Sequence, residues 1–152
     1  MISYQEAKQI ISKHLYKPKS ISVSIEEANG RILAENLIAD RDFPPFDRVT
    51  MDGIAIRHAD FESGQRAFPI ADTIGAGMPQ KDLDISGKCV QIMTGAIMPK
   101  GLDTVIRYED LSIKNDIATI EVKEVKHQQN IHFKAQDRLS GELVVSAGTK
   151  LS

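Results

Sequence analysis

Three places where an apolar run gives way to a turn carry the groups that could do chemistry in this chain. They are Thr50-Met51-Asp52-Gly53, Thr94-Gly95 and Glu109-Asp110, and a fourth, Asp137-Arg138, follows a basic stretch. Carboxylates that converge bind Mg²⁺ or another hard cation through oxygen. A threonine beside a glycine presents its hydroxyl, and the glycine lets backbone N–H groups approach an anion closely. Together these groups suit a phosphate or oxyanion held with a metal. The competing reading is four unrelated, solvated turns, and composition alone favours it.

The elements that would have to position these groups centre on Asp42 to Asp60, DFPPFDRVTMDGIAIRHAD. Pro44 and Pro45 fix φ and remove two backbone donors, which disfavours helix there. Phe43 and Pro44, each preceding a proline, are biased to extended conformations. Asp52-Gly53 is a turn dipeptide, and Ile54-Ala55-Ile56 after it reads as a short buried strand. A stiff extended arm thus delivers Thr50, Met51 and Asp52 to a tight turn.

Around that stretch, Ser3 and Glu6 form S-x-x-E, a capping box. Ala7, Ile10, Ile11 and Leu15 follow at helical spacing, which predicts a helix from Tyr4 to Tyr16 stopped by Pro18. Ile21, Val23 and Ile25 alternate with serines and predict a half-buried strand. Residues 26–33 are ambiguous, with Asn29-Gly30 marking either a turn or a helix cap. Ala67 to Ile74 predicts a strand, which Pro69 would place at an edge. Cys89 to Met93 and Thr104 to Tyr108 read as strands, and Asn115-Asp116 as a hairpin reversal. Gly75-Ala76-Gly77 is a turn; it lacks the third glycine of a dinucleotide fingerprint. His14, His127 and His132 read as surface histidines, because their spacing does not make a zinc site.

The pattern implies an α+β fold, predominantly β. The N-terminal helix and the terminal strands (1–40 with 140–152) would form a small scaffold, with an all-β lobe (41–139) inserted into it. With 152 residues the chain is long enough to bury roughly 68–70% of its unfolded surface. The net charge of −2 gives no electrostatic case for nucleic acid or an anionic membrane. Aromatic residues at 5%, without tryptophan, do not make a base-stacking platform. Cys89 is the single cysteine, which excludes an intramolecular disulfide and suits a reducing, cytoplasmic setting. It stands among Val90, Ile92 and Met93 and reads as a small core residue. No apolar stretch approaches the ~18 residues of a membrane span.

Several segments, in fixed order, carry a resemblance. PPFDRVTMDGIAIRHAD (Pro44 to Asp60) resembles the signature of the molybdopterin molybdenumtransferases, the MoeA and gephyrin E-domain family. NGRILAENLIADRDFP (Asn29 to Pro44), QIMTGAIMPKGLDTVIRYED (Gln91 to Asp110) and QDRLSGELVVSAGTKLS (Gln136 to Ser152) are similar to the family segments before and after it. The resemblance implies insertion of molybdate into the dithiolene of adenylated molybdopterin, with Mg²⁺ and release of AMP. It implies Asp52, Thr94 and Asp137 as catalytic positions, with Asp52 either binding Mg²⁺ or orienting a phosphate. Thr50, Met51, Gly53, Gly95, Glu109 and Asp110 become the substrate- and phosphate-facing positions. Ala135-Gln136-Asp137 stands where the family has Gly-Glu-Asp, Ile54 where it often has Tyr, and Val49-Thr50 where it often has Ser-Ala. Members continue into a pterin-binding α/β domain and a C-terminal β-domain and form elongated homodimers. This chain is therefore expected to be the N-terminal region of a longer enzyme, inactive alone. The alternative class is a dimerisation or scaffold module whose acidic turns are only surface.

Overall fold

Ser3 and Glu6 close the capping box that their spacing predicts. The Ser3 N–H donates to Glu6 Oε2 at 2.7 Å, and the Glu6 N–H to Ser3 Oγ at 3.2 Å. The structure, a computed structural model, describes residues 2–16 and 18–152. The helix they open, α1 (Tyr4–Lys13), ends before the predicted Tyr16, with His14 as its C-cap. Pro18 accounts for this: a proline ring clashes with the carbonyl of the residue four before it, which here is His14. Among its described residues α1 buries none.

The chain divides into two compact units, Met1–Leu37 with Leu143–Ser152, and Ile38–Glu142. In the first, residues 30–33 run antiparallel to 148–151. The Leu33 N–H donates to the Thr149 carbonyl and the Gly148 N–H to that of Leu33, both at 2.8 Å. The strand expected from Ser20 to Ile25 is absent; residues 20–24 are irregular and Ile25–Glu27 is a 3₁₀ turn. Alternation meets only the side-chain condition for a strand. The other condition is a hydrogen-bonding neighbour, and among the described residues none runs beside this segment. Two short strands, β1 (Leu37–Ile38) and β10 (Leu143–Val145), form a two-stranded sheet.

The second unit is built on a six-stranded sheet. Its strands are β3 (Gly53–Ile56), β4 (Ala67–Ile74), β5 (Cys89–Ile92), β6 (Thr104–Arg107), β7 (Leu111–Lys114) and β8 (Ile117–Ile120). Their order is β6-β3-β5-β4-β8-β7, antiparallel except for the parallel pair β4–β5. A separate pair joins β2 (Arg48–Val49) to β9 (Ile131–His132). Successive residues of a strand face opposite sides of its sheet. Ile54 and Ile56 accordingly pack with Phe61, Phe68, Cys89 and Ile106, while Ala55 packs with Val49, Val90, Ile92 and Val105. Both faces are covered, which is why β3 reads as an unbroken apolar run. Each fully buried Ile or Phe of this set contributes about 1.5–3 kcal/mol relative to exposure. Cys89 lies in this core as expected, and burial pushes its thiol up to about 12. The fold is α+β and predominantly β.

Two local features differ from expectation. Pro69 lies in an interior strand, not at an edge, because β4 has neighbours on both sides. The Ile120 N–H donates to the Arg66 carbonyl and the Ile70 N–H to that of Asp116, so on either side of Pro69 the even-numbered residues bond toward β8. The donor missing at Pro69 would point the other way, where β5 begins only opposite Ile70. A one-turn helix, α2 (His58–Glu62), forms where no periodic signal marks one, with His58 and Phe61 buried. The Asn115-Asp116 reversal is as predicted. Both residues have positive φ (50° and 58°), the conformation of a two-residue hairpin turn.

Candidate functional site

The arm from Phe43 to Thr50 is fixed from both sides by backbone hydrogen bonds. On one side the Ala135 N–H donates to the Pro44 carbonyl (2.9 Å), the Asp137 N–H to that of Phe43 (2.8 Å) and the Thr50 N–H to that of Asn130 (3.0 Å). On the other, the Val49 N–H donates to the Ala96 carbonyl (3.0 Å) and the Gly95 N–H to that of Val49 (2.9 Å). The Phe43–Pro44 peptide bond is cis. The turn that follows is therefore held against the 94–96 segment, and Asp52 reaches it: the Thr94 N–H donates to Asp52 Oδ1 at 2.6 Å. Hydrogen bonds to an ionised carboxylate are shorter and stronger than neutral ones. The Thr94 backbone N–H, and after it the Thr94 hydroxyl, hold the Asp52 carboxyl below the usual carboxylate range.

The sign follows from linkage. A carboxyl whose pKa is lower in the folded state contributes stability above its unfolded value of about 3.9. That contribution is lost as pH falls through the lower folded value. Asp52 is thus ionised throughout the neutral range, and it is exposed to solvent.

Two glycines make this arrangement fit. Gly95 has φ +84°, a conformation glycine adopts without penalty. Gly53 has no such φ but lies flat on β6, where an added Cβ would come 1.8 Å from the Ile106 carbonyl oxygen. One residue earlier, the Asp52 carbonyl accepts the Tyr108 N–H at 3.2 Å. Met51 is 43% exposed. It lines a depression of about 380 Å³ with Arg107, Asp110, Glu124, Lys126, Gln129 and Asn130.

Of the positions singled out in the sequence, Asp52, Gly53, Thr94 and Gly95 are brought together, with Thr50 and Met51 on the same turn. Asp110 is engaged by Arg107 through two bonds of 2.9 Å, so both its oxygens are occupied, while Glu109 is exposed. Asp137 is not bonded to Asp52 or Thr94; its Oδ1 lies 2.9 Å from His132 Nε2. His132 is half-buried in β9, not a free surface residue, and its Nδ1 lies 3.2 Å from Arg48 Nη2. Sequence reading missed this link because a two-residue strand leaves no periodic signal. It also missed His58, buried with its Nε2 2.9 Å from the Val125 carbonyl. Among the described residues no group of three or more His, Cys, Asp or Glu is arranged to hold a metal ion.

Ala135 adopts φ +61°, a left-handed conformation that costs an L-residue about 1–2 kcal/mol. Its N–H bond to Pro44 and the neighbouring bonds of Lys134 and Asp137 hold it there. Ala135→Gly is expected to raise stability by up to about 1 kcal/mol, the strain relieved less the entropy that glycine loses on folding. Urea unfolding checks this, and a lowered midpoint would contradict it.

A family profile, the MoeA N-terminal region (domain I and II), matches residues 2–152. A molybdopterin molybdenumtransferase of Synechocystis is 36% identical over 153 residues, covering 100% of this chain and 39% of that protein. One of Staphylococcus epidermidis is 35% identical, over 99% of this chain and 37% of its own length. A crystal structure of a molybdopterin biosynthesis MoeA protein from Pyrococcus horikoshii superposes with a TM-score of 0.87 at 31% identity, over 100% of this chain and 41% of that one. The chain thus spans well under half the length of the proteins it matches. With the profile covering all but the first residue and the solved fold agreeing, the chain belongs to the MoeA family, as its N-terminal region.

Proposed function

We propose that this chain is part of a molybdopterin molybdenumtransferase, acting in molybdenum cofactor biosynthesis by inserting molybdate into adenylated molybdopterin with release of AMP. The observation that carries the reading is the Asp52–Thr94 contact: an ionised, exposed carboxylate fixed by a backbone amide between two strand ends. Asp52 orients the phosphate end of the substrate, with Thr94 presenting its hydroxyl beside it and Gly95 leaving the backbone open. Asp137 assists from the adjoining loop. Mg²⁺ is commonly held by one or two carboxylates together with substrate phosphates, and the exposed Asp52 fits that donor set better than an all-protein cage would. When bound, the ion would neutralise charge on the phosphate oxygens. The site is completed by a pterin-binding domain of a second copy, in a cytoplasmic homodimer.

This division of labour has a direct test. The chain extended to the length of its relatives should form molybdenum cofactor from adenylated molybdopterin, molybdate and Mg²⁺, and the 152-residue chain alone should form none. A composite site with one face missing loses a positioning contribution of about 7–11 kcal/mol of barrier. Cofactor production by the short chain would show that the site lies elsewhere.

A further inference from the structure

The loop that carries Asp137 ends a run of three side chains. Arg48 and His132 are directly opposed in the β2–β9 pair, so their side chains leave the same face. Arg48 Nη2 lies 3.2 Å from His132 Nδ1, and His132 Nε2 lies 2.9 Å from Asp137 Oδ1. A guanidinium has donors only. His132 Nδ1 must therefore accept from Arg48, which leaves the ring proton on Nε2, donated to Asp137. A proton on Nδ1 would meet the Arg48 N–H head-on.

Arg48 makes no ion pair of its own among the described residues. The backbone at the far end is also fixed. The Lys134 N–H donates to Asp47 Oδ1 (2.8 Å), the Ala135 N–H to the Pro44 carbonyl (2.9 Å), and the Asp137 and Arg138 N–H groups both to that of Phe43 (2.8 and 3.1 Å). The Asp137 side chain itself is 52% exposed. Among the described residues its one side-chain hydrogen bond comes from His132.

We infer that Arg48 and His132 are positioning residues for Asp137: Arg48 holds the imidazole in its Nε2–H tautomer, and the imidazole aims the carboxylate. The relay is a property of this chain. Its consequence for turnover rests on the reading of Asp137 as a site residue.

Long-range ¹H–¹⁵N spectra of this chain, with His132 assigned by its loss in His132→Gln, test the relay without activity. The expected pattern is Nε2–H with a bare Nδ1, changing to mixed tautomers in Arg48→Met. A wild-type Nδ1–H tautomer or an imidazolium, or a pattern indifferent to Arg48→Met, would overturn it. Turnover of the longer chain tests the consequence. His132→Leu should lower kcat about tenfold, the loss expected for one hydrogen bond to a charged group, with little change in KM. His132→Gln, whose amide N–H can still reach Asp137, should restore most of it. If Asp137→Asn slows turnover but His132→Leu does not, the positioning role is wrong. If Asp137→Asn is fully active, the assignment of Asp137 is wrong instead, and the spectra still decide the relay.

Discussion

Gly53→Ala is expected to destabilise the chain by about 3 kcal/mol or more, at the upper end of overpacking effects. A Cβ there would stand 1.8 Å from the Ile106 oxygen, 2.8 Å from its carbonyl carbon and 2.9 Å from Arg107 Cα. All three are backbone atoms, so no side chain can rotate to make room. Gly53 pairs with Ile92 on one side and Arg107 on the other. Relief therefore requires β6 to shift away from β3, which strains the Tyr108 to Asp52 bond and the turn that holds the carboxylate. The φ of Gly53 is ordinary, so unfolded-state entropy alone would favour alanine; the contact decides the sign. Thermal unfolding should show a midpoint lower by roughly 6 °C or more, at about 2–4 °C per kcal/mol for a chain of this size. Gly148→Ala is the control. It has φ +86° but nothing within 4 Å of the added Cβ, so only the left-handed conformation costs, about 1–2 kcal/mol. A Gly53→Ala protein no less stable than Gly148→Ala would contradict the close approach.

How much of this was legible beforehand follows from how local each signal is. The capping box of Ser3 and Glu6, the run Ile54–Ile56 and the Asn115-Asp116 reversal are decided within a few residues, and the structure has them. Ser20 to Ile25 has as good an alternation as any segment, yet a strand also needs a neighbour, and sequence does not supply one. Pro69 was misplaced to an edge because its tolerance depends on where β5 begins, some twenty residues later in the chain. The site behaves likewise. Asp52 and Thr94 were each visible as turn residues, but their bond spans 42 positions and no local rule connects them. The link from Arg48 through His132 to Asp137 spans 84 positions at its first step and was invisible. The block of motifs from Pro44 to Asp110 pointed to the family where periodicity could not.

Asp52→Asn, made in the chain extended to the length of its relatives, should slow turnover about tenfold or more, the value of one charge-assisted contact at about 1.5–3 kcal/mol. The substitution is close to isosteric. An asparagine carbonyl can still accept the Thr94 N–H that now reaches Asp52 Oδ1 at 2.6 Å, so the turn and the packing of Gly53 behind it should persist. What disappears is the charge, which the Thr94 contacts keep ionised by lowering the carboxyl's pKa. The effect should therefore appear in turnover and in the Mg²⁺ concentration needed to support it, and only weakly in the unfolding midpoint. The measurement is AMP release from adenylated molybdopterin in the presence of molybdate and Mg²⁺, wild type against Asp52→Asn, with thermal unfolding of both proteins alongside. Slowed release at an unchanged midpoint is the predicted result; release at the wild-type rate would contradict the assignment of the site to the Asp52 turn.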